Sequence, residues 1–485
     1  MVTVFSCVER LIGFVYKVYL SRTIGPEGVG VYQISLSVLG LLMTVTSSGI
    51  PITISRMIIK HRASGLNKNS DSTVTAGMLL TLIASLPLTA LIYIFGNKIF
   101  PLVFADNRCG QLLLIMLPGL AFTSIYAVLR GSFWANRDFL TYSIIELLEE
   151  AVMLIVGIIM IQMTTEMIIG IRRAGYAVLI SYLFSFSAAM AVYFIKGGKL
   201  RSPKSELKPL FNSSAPITTM RVGSSAVNTL ISVILPARLI IAGMTSAEAM
   251  SEFGKVFGMA IPMIFIPSTL IGSLALVLVP ELSDNYYKNK FGTLKNNAEK
   301  AIKFSVFISC MIIPVFMAAG AEIGKIIYSD AATGIYVEKS AIIMLPMSLT
   351  MITTSMLNSL NKEKRTLLYY LAGASVMLLS IYFLPKYISV YALIIGFLLS
   401  FTITSVCNLI LLNKTCREKP SYMKYMFFSV LIMLPSAVFG IFVKNIVSRY
   451  MGIIPETLIV VILTAAFNFI LFKVFGMSDF RKLTS

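Results

Sequence analysis

Along the 485-residue chain, long apolar runs alternate with short polar breaks. A helix that crosses a membrane needs about 20 consecutive, mainly apolar residues. About fourteen runs of that kind follow one another, each closed by charged residues, Gly or Pro. Their centres fall near Gly13, Leu42, Leu86, Phe122, Val152, Phe184, Ser232, Ser268, Ser309, Ser348, Val376, Ser400, Met433 and Thr464. The first, from about Val4 to Leu20, has no small-residue cleavage site and is followed by many more, so it reads as a retained helix rather than a leader. The pattern predicts an all-α polytopic membrane protein of about 14 transmembrane helices.

Composition agrees. Hydrophobic residues make up 57% of the chain and charged residues 13%, against roughly 25% charge in a soluble domain. The solvent for most of the surface is therefore lipid. The net charge of +19 would suit a nucleic-acid binder, so the placement of the basic residues decides. They fall in alternate loops: Lys60, Arg62 and Lys68; Arg130 and Arg137; Lys196 to Lys208; Lys288 to Lys303; Lys362, Lys364 and Arg365; Lys414, Arg417, Lys419 and Lys424; then Lys473, Arg481 and Lys482. About 26 Lys and Arg lie on that side against about 11 on the other, the bias that marks cytoplasmic loops. Both termini are expected in the cytoplasm, and no nucleic acid is expected as partner.

Catalytic and metal signatures are missing. Cys7, Cys109, Cys310, Cys407 and Cys416 show no metal or redox spacing, and His61 lies in a basic loop. There is no phosphate-binding glycine loop, nucleophile elbow or HExxH. The expectation is a non-enzyme with neither cofactor nor metal, and no use of ATP. Glycosylation patterns at Asn212 and Asn413 would both lie on the cytoplasmic side, where that modification is not made.

The second half echoes the first at a shift of about 228 residues. Ile115-Met116-Leu117-Pro118 returns as Ile343-Met344-Leu345-Pro346, and collinear landmarks follow: Pro51 with Pro280, Pro87 with Pro314, Gly96 with Gly320, Asp106 with Asp330, Leu129 with Leu357. An even number of spans separates equivalent points, so the halves enter the membrane in the same orientation. That predicts two pseudo-twofold-related lobes, an N-lobe at 1–200 and a C-lobe at 201–415, each of about six helices, plus two C-terminal helices at 416–485. Parallel repeats of this kind are a transporter architecture, with the substrate site where the halves meet.

Ionisable residues inside spans are functional candidates because an unpaired charge at the bilayer centre costs about 2.5–3.5 kcal/mol. Glu9 and Arg10, near the start of the first helix, either snorkel or pair with each other. Lys17 is deeper and either snorkels or faces a cavity. In the fifth span Glu146 is spaced to share a helix face with Glu149 and Glu150. Such a cluster would hold a proton or sodium ion if isolated, or be neutralised by Arg130 or Arg137 if paired. Arg22, Arg238 and Lys255 fall at predicted outer helix ends, as interfacial anchors or as a basic group converging on an anionic headgroup. Intramembrane prolines, among them Pro262 and Pro267, could provide bends.

Several stretches carry a specific resemblance: Leu11 to Lys17, Leu20-Ser21-Arg22, Gly25 to Gln33 (GPEGVGVYQ), Gly49-Ile50-Pro51, Pro236-Ala237-Arg238-Leu239, Phe253-Gly254-Lys255 and Val279 to Ser283. Nearly the whole chain resembles the polysaccharide-transport branch of the MOP (MATE-like) exporter superfamily, related to lipid II flippases. The resemblance implies a two-lobe transporter of the bacterial plasma membrane that flips undecaprenyl-pyrophosphate-linked sugar or peptidoglycan precursors outward by alternating access, in cell-wall or spore-cortex synthesis. It gives Lys255 a substrate-contact role, since lipid II flippases carry an Arg at the matching position of their central cavity. Tyr16-Lys17 replaces an Arg-Asp pair of those flippases, and a second-helix Arg is absent near Thr44. The resemblance also implies a start shortened relative to the family.

Three functions are weighed: a lipid-linked glycan flippase, a cation-coupled multidrug exporter of the same fold, and a non-transporting scaffold for wall enzymes. A flippase needs basic groups at the headgroup, and Lys17, Arg22, Arg238 and Lys255 supply candidates. A drug exporter would use carboxylates and aromatics. Expected partners are a lipid-linked oligosaccharide, membrane lipids and wall-synthesis enzymes. An H+ or Na+ gradient, bound at Glu146, Glu149 and Glu150, or the membrane potential would drive transport.

Overall fold

Lipid offers no hydrogen bonds, so a spanning chain must satisfy its own amides, and helices do this within one segment. The computed structural model describes residues 2–64, 67–164, 166–416 and 421–477. Arg417, Lys419, Arg481 and Lys482 of the basic clusters lie outside the described residues, as do the side chains of Lys68, Val279 and Pro280. Packing divides the chain into two units, Met1–Gly254 and Lys255–Ser485.

The first unit holds α1 (Val2–Thr23), α2 (Gly25–Ser47), α3 (Ile50–Ala63), α4 (Asn67–Val103), α5 (Asn107–Met116), α6 (Gly119–Ala135), α7 (Phe139–Gln162), α8 (Met167–Ile195), α9 (Leu207–Ile241) and α10 (Ser246–Phe253). A π-helical turn, Gly254–Ala260, carries the chain into the second unit. There follow α11 (Ile261–Tyr287), α12 (Phe291–Tyr328), α13 (Ala331–Ser340), α14 (Met344–Ser359), α15 (Glu363–Phe383), the short α16 (Pro385–Ile388), α17 (Tyr391–Thr415), α18 (Met423–Val447) and α19 (Ile453–Val474). Among the described residues there is no strand.

Among the described residues, eleven helices are long and apolar enough to cross a membrane, and twelve if α5 and α6, bent by 50° at their junction, form one span. This is a multi-pass membrane protein. Neither α1 nor α7 is among the eleven. They are long enough, at 22 and 24 residues, but α1 carries Glu9, Arg10, Lys17 and Arg22, and α7 carries Glu146, Glu149 and Glu150. Large side chains such as Ile94, Leu102 and Val438 lie bare on helix surfaces, which suits lipid and not water.

The repeat is visible in the details of each unit. Asp106 caps α5 by accepting from the Arg108 amide, and Asp330 caps α13 by accepting from the Thr333 amide. Pro118 stands at the break before α6, and its counterpart Pro346 lies in the first turn of α14, just after a 3-10 turn at Ala341–Ile343. Pro87 and Pro314 sit inside the two longest helices, α4 and α12. Packing groups α9 and α10 with the first unit, where both contact α2, while α18 and α19 lie on α12 of the second.

Between apolar helices in lipid there is little hydrophobic gain, so close packing and polar contacts hold them. A Cβ on Gly324 of α12 would collide with the backbone of Gly334 on α13. Ser309 and Ser348 join α12 to α14 through their hydroxyls at 2.8 Å, and the Asn408 amide reaches Thr353 and Thr354. The last pair is tied in by Lys444 on Glu322 at 2.8 Å and by Asn468, which donates to the Cys310 carbonyl and accepts from Ser436.

Candidate functional site

The two charged helices left out of the apolar set pack on one another, α1 against α7. Intramembrane charges lower their cost by facing protein and finding partners, and this pairing buries them together. Glu146 accepts from Arg130 of α6 at 2.9 Å. The Arg130 guanidinium also lies over the rings of Tyr126 and Trp134, one turn before and one turn after it on the same face. Glu9 of α1 is within electrostatic reach of both Glu146 and Arg130.

One turn deeper, Glu150 faces α1 at Gly13, where a Cβ would lie 3.5 Å from its Oε2. Lys17, one helical turn further along α1, is the cation in electrostatic reach of Glu150. Tyr16 packs against Gly157 of α7. Its hydroxyl, Glu150 Oε2 and Arg130 Nε are all buried without a hydrogen-bond partner. Glu149 points elsewhere, to the Ser185 hydroxyl of α8.

The three glutamates therefore do not converge on one point as the helix spacing suggested. Glu146 turns to α6, Glu149 to α8 and Glu150 to α1, because α7 is surrounded by all three helices. Of the two arginines offered as partners, Arg130 takes the role. Arg137 stands in the left-handed turn after α6, at φ 56°.

Among the basic candidates, Lys17 reaches this cluster. Arg22 is exposed in the last turn of α1, and Arg238 is half-buried in the last turn of α9. Lys255 is not at a helix end. The capping box of Thr245 and Glu248 starts the helix at Ser246, which places Lys255 about two and a half turns inside it. There it is half-buried in the π-helical turn, a departure from α geometry that often marks functional positions.

Two ion-pair groups close the ends of the first unit. At one end Arg108 holds Glu27 and Asp106, each at 2.6 Å, and Ser246 donates to Asp106 at 2.9 Å, which ties α2, α5 and α10 together. Burial alone would raise the Asp106 pKa, but the Arg108 and Ser246 hydrogen bonds outweigh it and hold the carboxyl below its ordinary range. At the other end Lys196 pairs with Asp138, Arg201 with Asp71 at 3.3 Å, and His61 with Glu206 at 3.0 Å. Burial raises the Asp138 pKa less than its bonds to Lys196 and Thr141 lower it. No group of three or more metal-ligating side chains occurs among the described residues.

Solved structures share this architecture. An inward-closed structure of the lipid II flippase MurJ matches 100% of this chain and 99% of its own, at a TM-score of 0.75 and 17% identity. An inward-facing MATE-family multidrug resistance transporter of the MOP superfamily matches 84% of this chain and 94% of its own, at 0.69 and 14%. The fold is thus that of the MATE-like class of multi-pass proteins. The family model described as polysaccharide biosynthesis protein matches residues 1–286, and the chain belongs to that family. Among curated relatives, stage V sporulation protein B of Bacillus subtilis (strain 168) is 23% identical over 76% of this chain and 73% of its own. The lipid II flippase MurJ of the same organism is 19% identical over 92% and 87%.

Proposed function

We propose that this protein flips an undecaprenyl-pyrophosphate-linked sugar or peptidoglycan precursor from the inner to the outer leaflet of a bacterial plasma membrane. The observation that carries this reading is Lys17, a cation inside the first unit within electrostatic reach of Glu150, whose Oε2 is buried without a hydrogen-bond partner. A lysine in that position can turn from the nearby carboxylate to a phosphate, which it binds as a point charge. When it does, Glu150 is left to take a proton or a sodium ion, and this gives a route for coupling cargo to an ion gradient. Arg22, Arg238 and Lys255 complete the headgroup contacts in this scheme. The relatives named for lipid II flipping and for sporulation support the substrate class, and the proposal extends to a role in wall or cortex synthesis with wall enzymes as partners. With α1 and α7 counted, the spans number about fourteen, divided by repeat at 1–200, 201–415 and 416–485, with both termini cytoplasmic.

A second reading, export of a cationic drug by the same fold, is favoured by one observation: Glu149 and Glu150 lie inside the helix bundle. The test is transfer of a labelled undecaprenyl-pyrophosphate sugar in proteoliposomes, with a cationic dye as competing substrate. Loss of a charge-assisted contact costs about 1.5–3 kcal/mol, so Lys17→Ala and Lys255→Ala should each slow lipid transfer about ten- to a hundredfold. Dye transport without lipid transfer would reverse the assignment in favour of the exporter.

A further inference from the structure

The second unit has a cavity of about 390 Å3 at the helix ends where the basic loops lie, lined by Tyr286, Tyr287 and Phe291 and by Lys362, Arg365 and Lys414. The first unit has its counterpart, about 480 Å3, at the matching ends of α3, α4, α6 and α8, lined in part by Arg62, Asp71, Asn136 and Lys196. The two differ in charge. In the first, Lys196 is paired with Asp138, Arg201 with the lining Asp71, and Arg62 with Asn136. In the second no carboxylate lines the cavity, and among the described residues none pairs with Lys362, Arg365 or Lys414. Nearby acids are engaged elsewhere, Asp284 with Lys288 and Glu281 with Asn297, apart from Glu363, which is exposed beside Lys362.

The contrast has a residue-level cause. The N-cap position of α7 is Asp138, and the N-cap position of its repeat, α15, is Lys362. One position thus exchanges the acid that neutralises the first cavity for a further cation in the second. Three cations with no carboxylate among the described lining residues form a site that an external anion can fill. The aromatic side is equally specific: Tyr286 packs edge-on to Tyr287 and to Phe291, at centroid distances of 5.6 and 6.4 Å, and amphipathic rings of this kind sit at headgroup level in a membrane. Basic pockets between spans on the cytoplasmic side bind anionic headgroups.

We propose that the cavity lined by Lys362, Arg365 and Lys414 binds the phosphodiester headgroup of an anionic phospholipid of the surrounding leaflet, separate from any transported cargo. The test is native mass spectrometry of the full-length protein titrated with phosphatidylglycerol or phosphatidylcholine. Each cation near a membrane surface changes affinity about fivefold. The triple variant Lys362→Gln, Arg365→Gln, Lys414→Gln should therefore lose phosphatidylglycerol at one site by about a hundredfold, with phosphatidylcholine binding unchanged. Lys362→Asp alone, which restores the acid of the first unit, should lose about tenfold or more and covers the case in which the triple variant fails to fold. Undiminished phosphatidylglycerol binding by either folded variant overturns the proposal, as does an equal loss on Lys196→Gln in the first unit. Displacement of the lipid by millimolar inorganic phosphate would show a free-anion site and overturn the lipid assignment.

Discussion

Single residues set the electrostatics of this protein, and the ion-pair group around Asp106 gives the clearest test. Its carboxyl is buried, accepts from Arg108 and Ser246, and has a folded pKa below the unfolded value. A depressed carboxylate contributes stability that is fully present above the unfolded pKa, near 3.9, and is lost as pH falls through the folded pKa. Thermal unfolding in detergent, followed from about pH 6 downward, should show a decline in the acid range that Asp106→Asn flattens. An unchanged pH profile in that variant would mean that Arg108 and Glu27 hold the joint without it. The same scale shows the limit of reading spacing. Glu146, Glu149 and Glu150 share a helix face in the sequence, yet which neighbour each meets depends on how α1, α6 and α8 pack around α7.

At the scale of elements, hydropathy marks where helices lie, and glycine marks how close they come. The centres of the apolar runs fall inside observed helices, though eleven or twelve spans among the described residues meet the length and hydropathy of a crossing, and the breaks at Pro118 and at Ala341–Ile343 fall at or just before the repeated Ile-Met-Leu-Pro. Gly324 shows the part that no hydropathy pattern carries. Its missing side chain lets α12 meet α13 at the Gly334 backbone, and backbone cannot yield as a side chain tip can. Gly324→Ala should destabilise the protein by about 1–3 kcal/mol through overpacking, read as a lower unfolding temperature, whereas Gly292→Ala, where a Cβ meets nothing, should leave it unchanged. Lys255 is the opposite case. Its expected place at a helix end failed because Thr245 and Glu248 form a capping box nearer the start of the chain than the apolar run itself.

For the whole molecule, alternation of basic loops predicts sidedness. Lys199 and Ala242 are exposed at opposite ends of α9 and its approach, so the positive-inside bias puts them on opposite faces of the membrane. In a cysteine-free background, Lys199→Cys should react with an impermeant thiol reagent only after the cytoplasmic face is opened, and Ala242→Cys in intact cells. The reverse pattern would invert the topology, and with it the direction proposed for transport.

Length, apolar runs and the recurrence of landmarks such as Ile-Met-Leu-Pro determined by themselves that this is a multi-pass α-helical protein with an internal repeat. Those properties depend on local composition and on order along the chain, and both are written in the sequence. The pairing of α1 with α7, the three separate partners of the glutamates and the unpartnered oxygen of Glu150 were decided by tertiary structure alone. Each rests on which helices become neighbours, and a charge inside a membrane is defined by the group across from it rather than by the residues beside it in the chain.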